Sequence, residues 1–194
     1  MTSRVLLVSP AMSVSARQAR FDDDGPLDDA GAARARAAAG SLPSAARVLV
    51  SPGVRCRETA AALGLAGVPA PELAGLDVGR WRGRTLEEVG AAEPDAVGRW
   101  LTDPEGAPHG GESVRDLCGR VGRLLADARA LDGRTVAVVE PEVVRAAVVG
   151  ALGLPLSVFW RLDVPPLTVT ELSGRAGRWN LRLGRPLPTP QETG

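Results

Sequence analysis

The chain has 194 residues, of which 44% are hydrophobic and 24% are charged, and this balance is typical of one globular domain with its own core. Its 23 basic residues, all arginine, are matched by 23 acidic residues, so the zero net charge argues against nucleic acid or an anionic membrane as a partner. No apolar stretch approaches the roughly 20 residues of a membrane span, and the two cysteines form no metal-binding pattern. We therefore expect a cytoplasmic protein that needs no cofactor or metal.

Three short β-rich runs, each followed by a helix, set the predicted fold; they cover residues 4–8, 47–50 and 135–139. Helices are predicted at residues 29–42, 51–63, 85–92, 94–101, 113–130, 141–152 and 155–162, and a hairpin at 168–172 and 178–183. Loops are predicted at residues 14–27, 69–83 and 103–111. Strands that alternate with helices predict a single α/β domain over residues 1–185, with a mostly parallel sheet covered on both faces. A disordered tail is predicted at 186–194.

The loops that follow the three strands should carry the functional site. Ligands of open α/β sheets bind outside the carboxyl ends of the strands. Here those ends lead into Ser9-Pro10-Ala11, into residues 51–55 and into Glu140-Pro141-Glu142. We expect these three loops to lie close together.

Five segments, in order along residues 4–183, resemble motifs of the histidine phosphatase (phosphoglycerate mutase-like) superfamily. Residues 51–60 read S-P-G-V-R-C-R-E-T-A and are similar to the family's strand-to-helix segment. The other segments are the helix start at Gly31, residues 77–88 (D-V-G-R-W-R-G-R-T-L-E-E), residues 110–113 (G-G-E-S) and residues 143–146 (V-V-R-A). The resemblance implies a three-layer α/β/α fold with a mostly parallel central sheet.

The chain departs from this family where the family carries its chemistry. The first strand of the family ends in R-H-G, with a phosphate-binding Arg and a nucleophilic His, but the matching positions here are Ser9-Pro10-Ala11. The second catalytic histidine of the family corresponds to Glu140, and its general-acid glutamate corresponds to Gly75. Of the phosphate pocket, Arg55 is retained.

These replacements predict a degenerate family member with negligible phosphatase activity and no phosphohistidine. Proline offers no nucleophile, and a carboxylate at position 140 repels a phosphate dianion. Two like charges about 4 Å apart cost about 4 kcal/mol at an effective dielectric constant of 20. We expect the old phosphate pocket to bind a small polar metabolite or a protein partner. The predicted ligand-binding residues are Arg55, Ser9, Glu140, Glu142, His109 and Arg17.

Three interpretations of Glu140 stay open from the sequence. It can pair with Arg55 and plug the vacated pocket. It can join Arg55 in binding a zwitterion or a polar, non-phosphate metabolite. It can act as a general acid or base in a different reaction, such as that of an isomerase, lyase or hydrolase, with Ser9 as a conceivable nucleophile.

The remaining candidates have structural and functional interpretations. His109, the only histidine, fits an exposed loop or the pocket rim, and a conventional phosphatase with shifted residues would need it at the pocket centre. Arg17 and Arg20 either face the ligand or the solvent. Glu142 suits the first turn of a helix, where it can also line the pocket. The triplet at residues 22–24 fits a solvated acidic loop.

The apolar segment around Phe159 and Trp160 can form the interface of a homodimer. Aromatic side chains in a short helix of this kind can cover a partner surface. The four tryptophans are otherwise expected in the core or at its rim.

Overall fold

The computed structural model of the chain describes residues 3–21, 23–127, 133–175 and 178–188. One sheet of six strands occupies its centre, in the order β3-β2-β4-β1-β5-β6. The strands are β1 (Ser3–Val8), β2 (Arg47–Val50), β3 (Val68–Pro69), β4 (Arg134–Val138), β5 (Thr168–Arg175) and β6 (Arg178–Pro186). The helices are α1 (Val14–Arg17), α2 (Asp29–Ala37), α3 (Val54–Ala62), α4 (Leu86–Ala92), α5 (Pro94–Thr102), α6 (Val114–Ala126) and α7 (Pro141–Leu152).

Side-chain alternation along β1 explains why both faces of the sheet are covered. Val5 and Leu7 belong to one buried cluster, together with the apolar faces of α6 and α7. Leu6 and Val8 belong to a second buried cluster, together with residues of α2 and α3. Since successive strand residues point to opposite faces, a wholly apolar strand must be sandwiched between two helical layers. The predicted three-layer α/β/α architecture is therefore confirmed.

The parallel strands bring three loops to one edge of the sheet. Strands β1, β2, β3 and β4 run parallel, while β5 and β6 add an antiparallel hairpin at one side. Val138 of β4 lies opposite both Val8 of β1 and Val50 of β2. These three residues sit at the carboxyl ends of their strands, so the loops that follow them converge, as predicted from the strand pattern.

Local capping fixes where several helices begin. Asp28 accepts a hydrogen bond from the Gly31 amide at the start of α2, and Ser113 caps α6 through the Asp116 amide. Thr85 and Glu88 form a reciprocal capping box at the start of α4. The start of α7 differs, because the residue in the cap position is Glu140 and its carboxylate makes no capping hydrogen bond. That carboxylate is therefore available for a tertiary contact.

Some boundaries differ from the sequence prediction. The segment predicted as a loop at 14–27 contains the one-turn helix α1, because the Ser13 hydroxyl accepts a hydrogen bond from the Ala16 amide. Helix α2 ends at Ala37 rather than at residue 42, and Gly40 adopts a positive φ soon after it. Helix α6 ends at Ala126, whereas residues 128–130 of its predicted span lie outside the described residues.

The predicted disordered tail was placed too early. Pro186 is the last residue of β6, and Leu187 is buried, with its amide donating a hydrogen bond to the Leu167 carbonyl at 2.9 Å. The packed side chain of Leu187 and its backbone hydrogen bond hold this segment against the sheet. Residues 189–194 lie outside the described part of the chain.

The apolar surface predicted around Phe159 and Trp160 is part of the core. Phe159 is fully buried, and the Trp160 ring lies 4.3 Å from the Trp100 ring, centroid to centroid. Trp160 is only partly buried, and the homodimer stays a prediction. No helix within the described ranges is long and apolar enough to span a membrane.

Candidate functional site

An ion pair between Arg55 and Glu140 lies where the loops after β2 and β4 meet. The Nε of Arg55 donates a hydrogen bond to Oε2 of Glu140 at 2.7 Å, and Nη2 donates to the same oxygen. The two side chains are only 20% and 10% exposed. The thiol of Cys56 donates to the other oxygen, Oε1, at 3.2 Å. Both oxygens of the carboxylate are thus engaged by neighbours on α3.

Arg55 and Glu140 stabilise each other electrostatically although both side chains are largely buried. Burial alone would lower the pKa of Arg55, but the charge of Glu140 outweighs this and keeps the pKa of the guanidinium above its usual value. Burial raises the pKa of Glu140, and the charge of Arg55 opposes that rise. Burial, followed by the charge of Glu140, raises the pKa of Cys56. The site therefore places a carboxyl group and a guanidinium in contact beside a thiol whose ionisation is disfavoured by burial.

Ser9 is placed differently from the sequence expectation. It is fully buried, and its hydroxyl donates a hydrogen bond to the Pro165 carbonyl at 2.6 Å. The same oxygen accepts a hydrogen bond from the Thr168 amide at 3.0 Å. The side chain thus joins the end of β1 to the start of β5, so the prediction of Ser9 as a ligand contact or nucleophile was wrong.

His109 is neither exposed nor at the rim of the pocket. Only 1% of it is accessible, its Nδ1 accepts a hydrogen bond from the Gly111 amide at 3.0 Å, and its ring packs edge-on against Trp81 with the centroids 5.1 Å apart. Burial lowers the pKa of this imidazole. Both sequence interpretations of His109 were wrong, and a phosphatase with this histidine moved to the pocket centre is ruled out.

Arg17 also takes no part in the pocket. Its guanidinium pairs with Asp28 at 2.6 Å, and its side chain is 61% exposed. Arg20, one turn further along the same loop, lines the cavity instead. The sequence could not separate the two, because α1 and the turn after it decide which arginine faces inward.

The acidic triplet at residues 22–24 makes ordinary loop contacts where it is described. Asp23 accepts hydrogen bonds from the Ser15 hydroxyl at 2.7 Å and from the Gly25 amide at 2.9 Å, and Asp24 pairs with Arg82 at 3.0 Å. Asp22 lies outside the described residues. Within the described ranges, no cluster of His, Cys, Asp and Glu is arranged to hold a metal ion.

A cavity of about 480 Å³ remains open beside the ion pair. Much of its wall is apolar and comes from Pro10, Met12, Phe21, Leu76, Val78, Leu86, Trp100, Val164 and Pro166. Its charged wall holds equal numbers of cations and anions among the described residues, namely Arg20, Arg55 and Arg145 with Asp23, Glu140 and Glu142. The volume lies within the range of small-molecule sites. The predicted contact forms, and yet the pocket does not collapse around it.

Comparison with known proteins agrees with the fold. A sequence model of the histidine phosphatase superfamily (branch 1) matches residues 12–185, which is most of the chain. The chain belongs to the histidine phosphatase superfamily. The matched range begins just after the loop Ser9-Pro10-Ala11, where the family's first catalytic histidine was expected.

Two curated relatives and one solved structure show how near the superfamily members are. A bifunctional protein of Mycobacterium tuberculosis is 35% identical over 130 residues, which are 62% of this chain but only 36% of that protein. The chain therefore spans about a third of the curated relatives it matches first. A glucosyl-3-phosphoglycerate phosphatase of Mycolicibacterium vanbaalenii is 34% identical over 157 residues, 73% of this chain and 69% of that protein. A mycobacterial glucosyl-3-phosphoglycerate phosphatase solved with VO3 is 27% identical, with a TM-score of 0.82 and coverage of 93% and 98%.

The residues expected at the family's catalytic positions from the sequence resemblance, Pro10, Gly75 and Glu140, all line the cavity. Gly75 lies against Glu140: a Cβ added to Gly75 would be 3.1 Å from the Cγ of Glu140. A glutamate at position 75 would therefore crowd Glu140, so the missing side chain leaves the space that Glu140 occupies.

Sequence reasoning did not assign Arg145 and Trp100 to the cavity that both residues line. Arg145 is three residues after Glu142 on α7, so the helical repeat places both on one face. That spacing was the available signal. Trp100 reaches the cavity from α5 through tertiary packing, for which the sequence carries no local signal.

The two free thiols should be nearly inert in the folded protein. Burial raises the pKa of Cys56 well above its usual value and raises that of Cys118 to about 11. We expect slow reaction of both with an aromatic disulfide reagent at about pH 8, and full reaction in concentrated guanidinium chloride, because the thiolate is the reactive form. Glu140→Gln should speed the reaction of Cys56 but not that of Cys118. Rapid labelling of native Cys56, located by peptide mass spectrometry, would contradict the buried contact.

Proposed function

We propose that this superfamily member does not transfer phosphoryl groups and that its cavity binds a small molecule without a phosphate group. The observation that carries the proposal is the ion pair between Arg55 and Glu140 beside an open cavity. The retained phosphate arginine already has a carboxylate partner. An incoming phosphate would have to displace that partner and would then face its charge.

The residues at the former histidine positions support the same conclusion. Pro10 has no group that can attack phosphorus, and Glu140 is held on both oxygens. Phosphoryl transfer also needs cations that stabilise charge on the transferred group. Among the described lining residues, Arg20, Arg55 and Arg145 are balanced by as many carboxylates, which gives no surplus of positive charge.

The competing proposal is a retained phosphatase, since the relatives are named as phosphatases. It would need a nucleophile other than His109, which is buried against Trp81. Among the described residues that line the cavity there is no histidine or cysteine. Water would have to attack directly, without the covalent route of the family.

A second alternative is an enzyme that uses Glu140 as a general acid or base. A raised pKa in a cleft favours such a role. However, the carboxylate of Glu140 accepts hydrogen bonds from Arg55 and Cys56, so a substrate would have to break one of them to reach it. Binding of a protein partner is supported less than binding of a small molecule, because the site is concave rather than flat.

A thermal-shift screen with phosphorylated and non-phosphorylated metabolites tests the proposal on wild type and Glu140→Gln. A compound at a hundredfold excess over its Kd stabilises the folded state by about 2.7 kcal/mol, which raises Tm by about 5–10 °C in a protein of this size. We expect wild type to respond only to compounds without phosphate. Glu140→Gln frees Arg55, so this variant should gain a response to phosphate compounds.

The double variant Arg55→Ala/Glu140→Gln is the matched control, because it should lose the gained response to phosphate. Stabilisation of the wild type by inorganic phosphate, lost on Arg55→Ala, would overturn the proposal. It would mean that Glu140 does not block the anion.

A further inference from the structure

Two charged groups of the cavity wall have polar atoms without a hydrogen-bond partner among the described residues: the carboxylate of Glu142 and the two Nη groups of Arg145. Among the other lining charges, Arg55 pairs with Glu140, Arg20 donates to the Gly83 carbonyl, and Asp23 accepts from Ser15 and from the Gly25 amide. These contacts leave the Glu142 carboxylate and the Nη groups of Arg145 for a ligand.

Glu142 is a half-buried carboxylate in the first turn of α7. Within the described part of the chain it makes no hydrogen bond and no ion pair, although it lies close enough to Arg55 and Glu140 for their charges to interact. Because that neighbouring pair is neutral, the negative charge of Glu142 is not cancelled there. A half-buried carboxylate in this position favours a cationic partner.

Arg145 is held in place one turn later. Its Nε donates a hydrogen bond to the Leu162 carbonyl at 2.8 Å, and its Cζ lies 5.6 Å from the centroid of the Trp160 ring. In the described ranges, neither Nη group has a hydrogen-bond partner. The guanidinium is thus held by its Nε and by the Trp160 ring, and its Nη groups can donate to an acceptor in the cavity.

The spacing of the two residues suits one small ligand. Residues three apart on a helix have their Cβ atoms about 5–6 Å apart, so both side chains project from the same face. They line the cavity without pairing with each other among the described ion pairs. A ligand whose own ammonium and carboxylate groups are adjacent can bridge them.

The other residues of the cavity wall favour a ligand with an apolar side chain. Phe21, Leu76, Val78, Trp100 and Val164 surround the same space. Phe21 and Trp100 pack edge to face with their centroids 5.6 Å apart, which keeps this wall rigid. Apolar surface placed against it leaves water, which favours binding.

We infer that the cavity binds a zwitterionic amino acid with an apolar side chain, its ammonium group on Glu142 and its carboxylate on Arg145. This inference rests on the proposed function, because a phosphate-free pocket is its premise. It also replaces Glu140 and Arg55 as the residues that would hold a zwitterion.

Isothermal titration calorimetry with L-phenylalanine and L-leucine tests the inference. We expect at least one of them to bind wild type, and Glu142→Gln and Arg145→Gln each to weaken that binding about tenfold or more. Arg115→Gln, on an exposed arginine paired with Glu105, is the matched control and should bind as wild type does.

Modified ligands provide a second readout that does not depend on the folding of the variants. The N-acetyl derivative lacks the ammonium group, so it should bind wild type about tenfold more weakly and be insensitive to Glu142→Gln. The amide derivative lacks the carboxylate and should be insensitive to Arg145→Gln. This crossed pattern assigns each group of the ligand to its own residue.

Three outcomes would overturn the inference: neither amino acid binds at millimolar concentration, the amide binds as tightly as the free acid, or both variants bind like wild type. Inorganic phosphate is included in the same titrations. Binding of phosphate that depends on Arg55 defeats the proposed function itself. If phosphate does not bind in this way, any of the three outcomes overturns only the inference that the cavity binds a zwitterion.

Discussion

Arg55→Ala should lower the free energy of unfolding by about 3 kcal/mol at neutral pH, as is found when one partner of a largely buried ion pair is removed. Glu140 would keep its burial but lose its cation, with only the Cys56 thiol left as a donor. Urea unfolding followed by circular dichroism measures the loss. Arg17→Ala is the matched control, since its pair with Asp28 is exposed and should contribute far less.

The loss should depend on pH with a defined sign. Burial already raises the pKa of Glu140 above its unfolded value of 4.5, and removal of Arg55 raises it further. A carboxyl group whose folded pKa is higher binds its proton more readily in the folded state, so its ionisation destabilises the fold as pH rises above 4.5. The deficit of Arg55→Ala should therefore be small near pH 4 and grow toward neutrality. An equal deficit at both pH values, or one no larger than that of Arg17→Ala, would contradict a buried ion pair.

Trp81→Ala should lower the free energy of unfolding by about 3–5 kcal/mol, the usual cost of a large cavity in a core. Trp81 is fully buried, and its ring centroid lies 5.3 Å from that of Phe21, 5.7 Å from that of Trp100 and 5.1 Å from that of His109. Phe21 and Trp100 line the cavity, so the variant should also lose the proposed ligand binding.

Trp179→Ala provides the control for this substitution. Trp179 lies on β6, is only partly buried and packs at the margin of the same core. Its removal should cost clearly less, because less apolar surface returns to water and the cavity that forms is open. Equal losses for the two tryptophans in urea unfolding would show that Trp81 does not anchor the core.

The fold could be predicted because its signals are local. The second strand was predicted at 47–50 and is observed as Arg47–Val50, and the three strand-to-helix units converge as parallel strands require. The end of α2 and the helix α1 could not be predicted with equal success. Both depend on single side-chain or backbone contacts, such as the Ser13 cap. The surrounding sequence carries no clear pattern that indicates these contacts.

The candidate site could be predicted only in part, for a physical reason. Strand order brings Arg55 and Glu140 to one sheet edge, so their contact was foreseeable from topology. The direction of Ser9 and the burial of His109 depend on partners far away along the chain, at Pro165 and Trp81. No periodicity or capping pattern indicates such partners. The sequence-based prediction therefore placed these side chains in the wrong environment.

The most direct test of the claim that Arg55 no longer serves phosphate chemistry is the hydrolysis of p-nitrophenyl phosphate. The purified wild type and Arg55→Ala are compared under identical conditions with a blank without protein. We expect both proteins to hydrolyse the ester at the rate of the blank, because Glu140 holds the arginine and Pro10 is the residue expected from the resemblance at the nucleophile position. Turnover by the wild type that disappears in Arg55→Ala would contradict this claim.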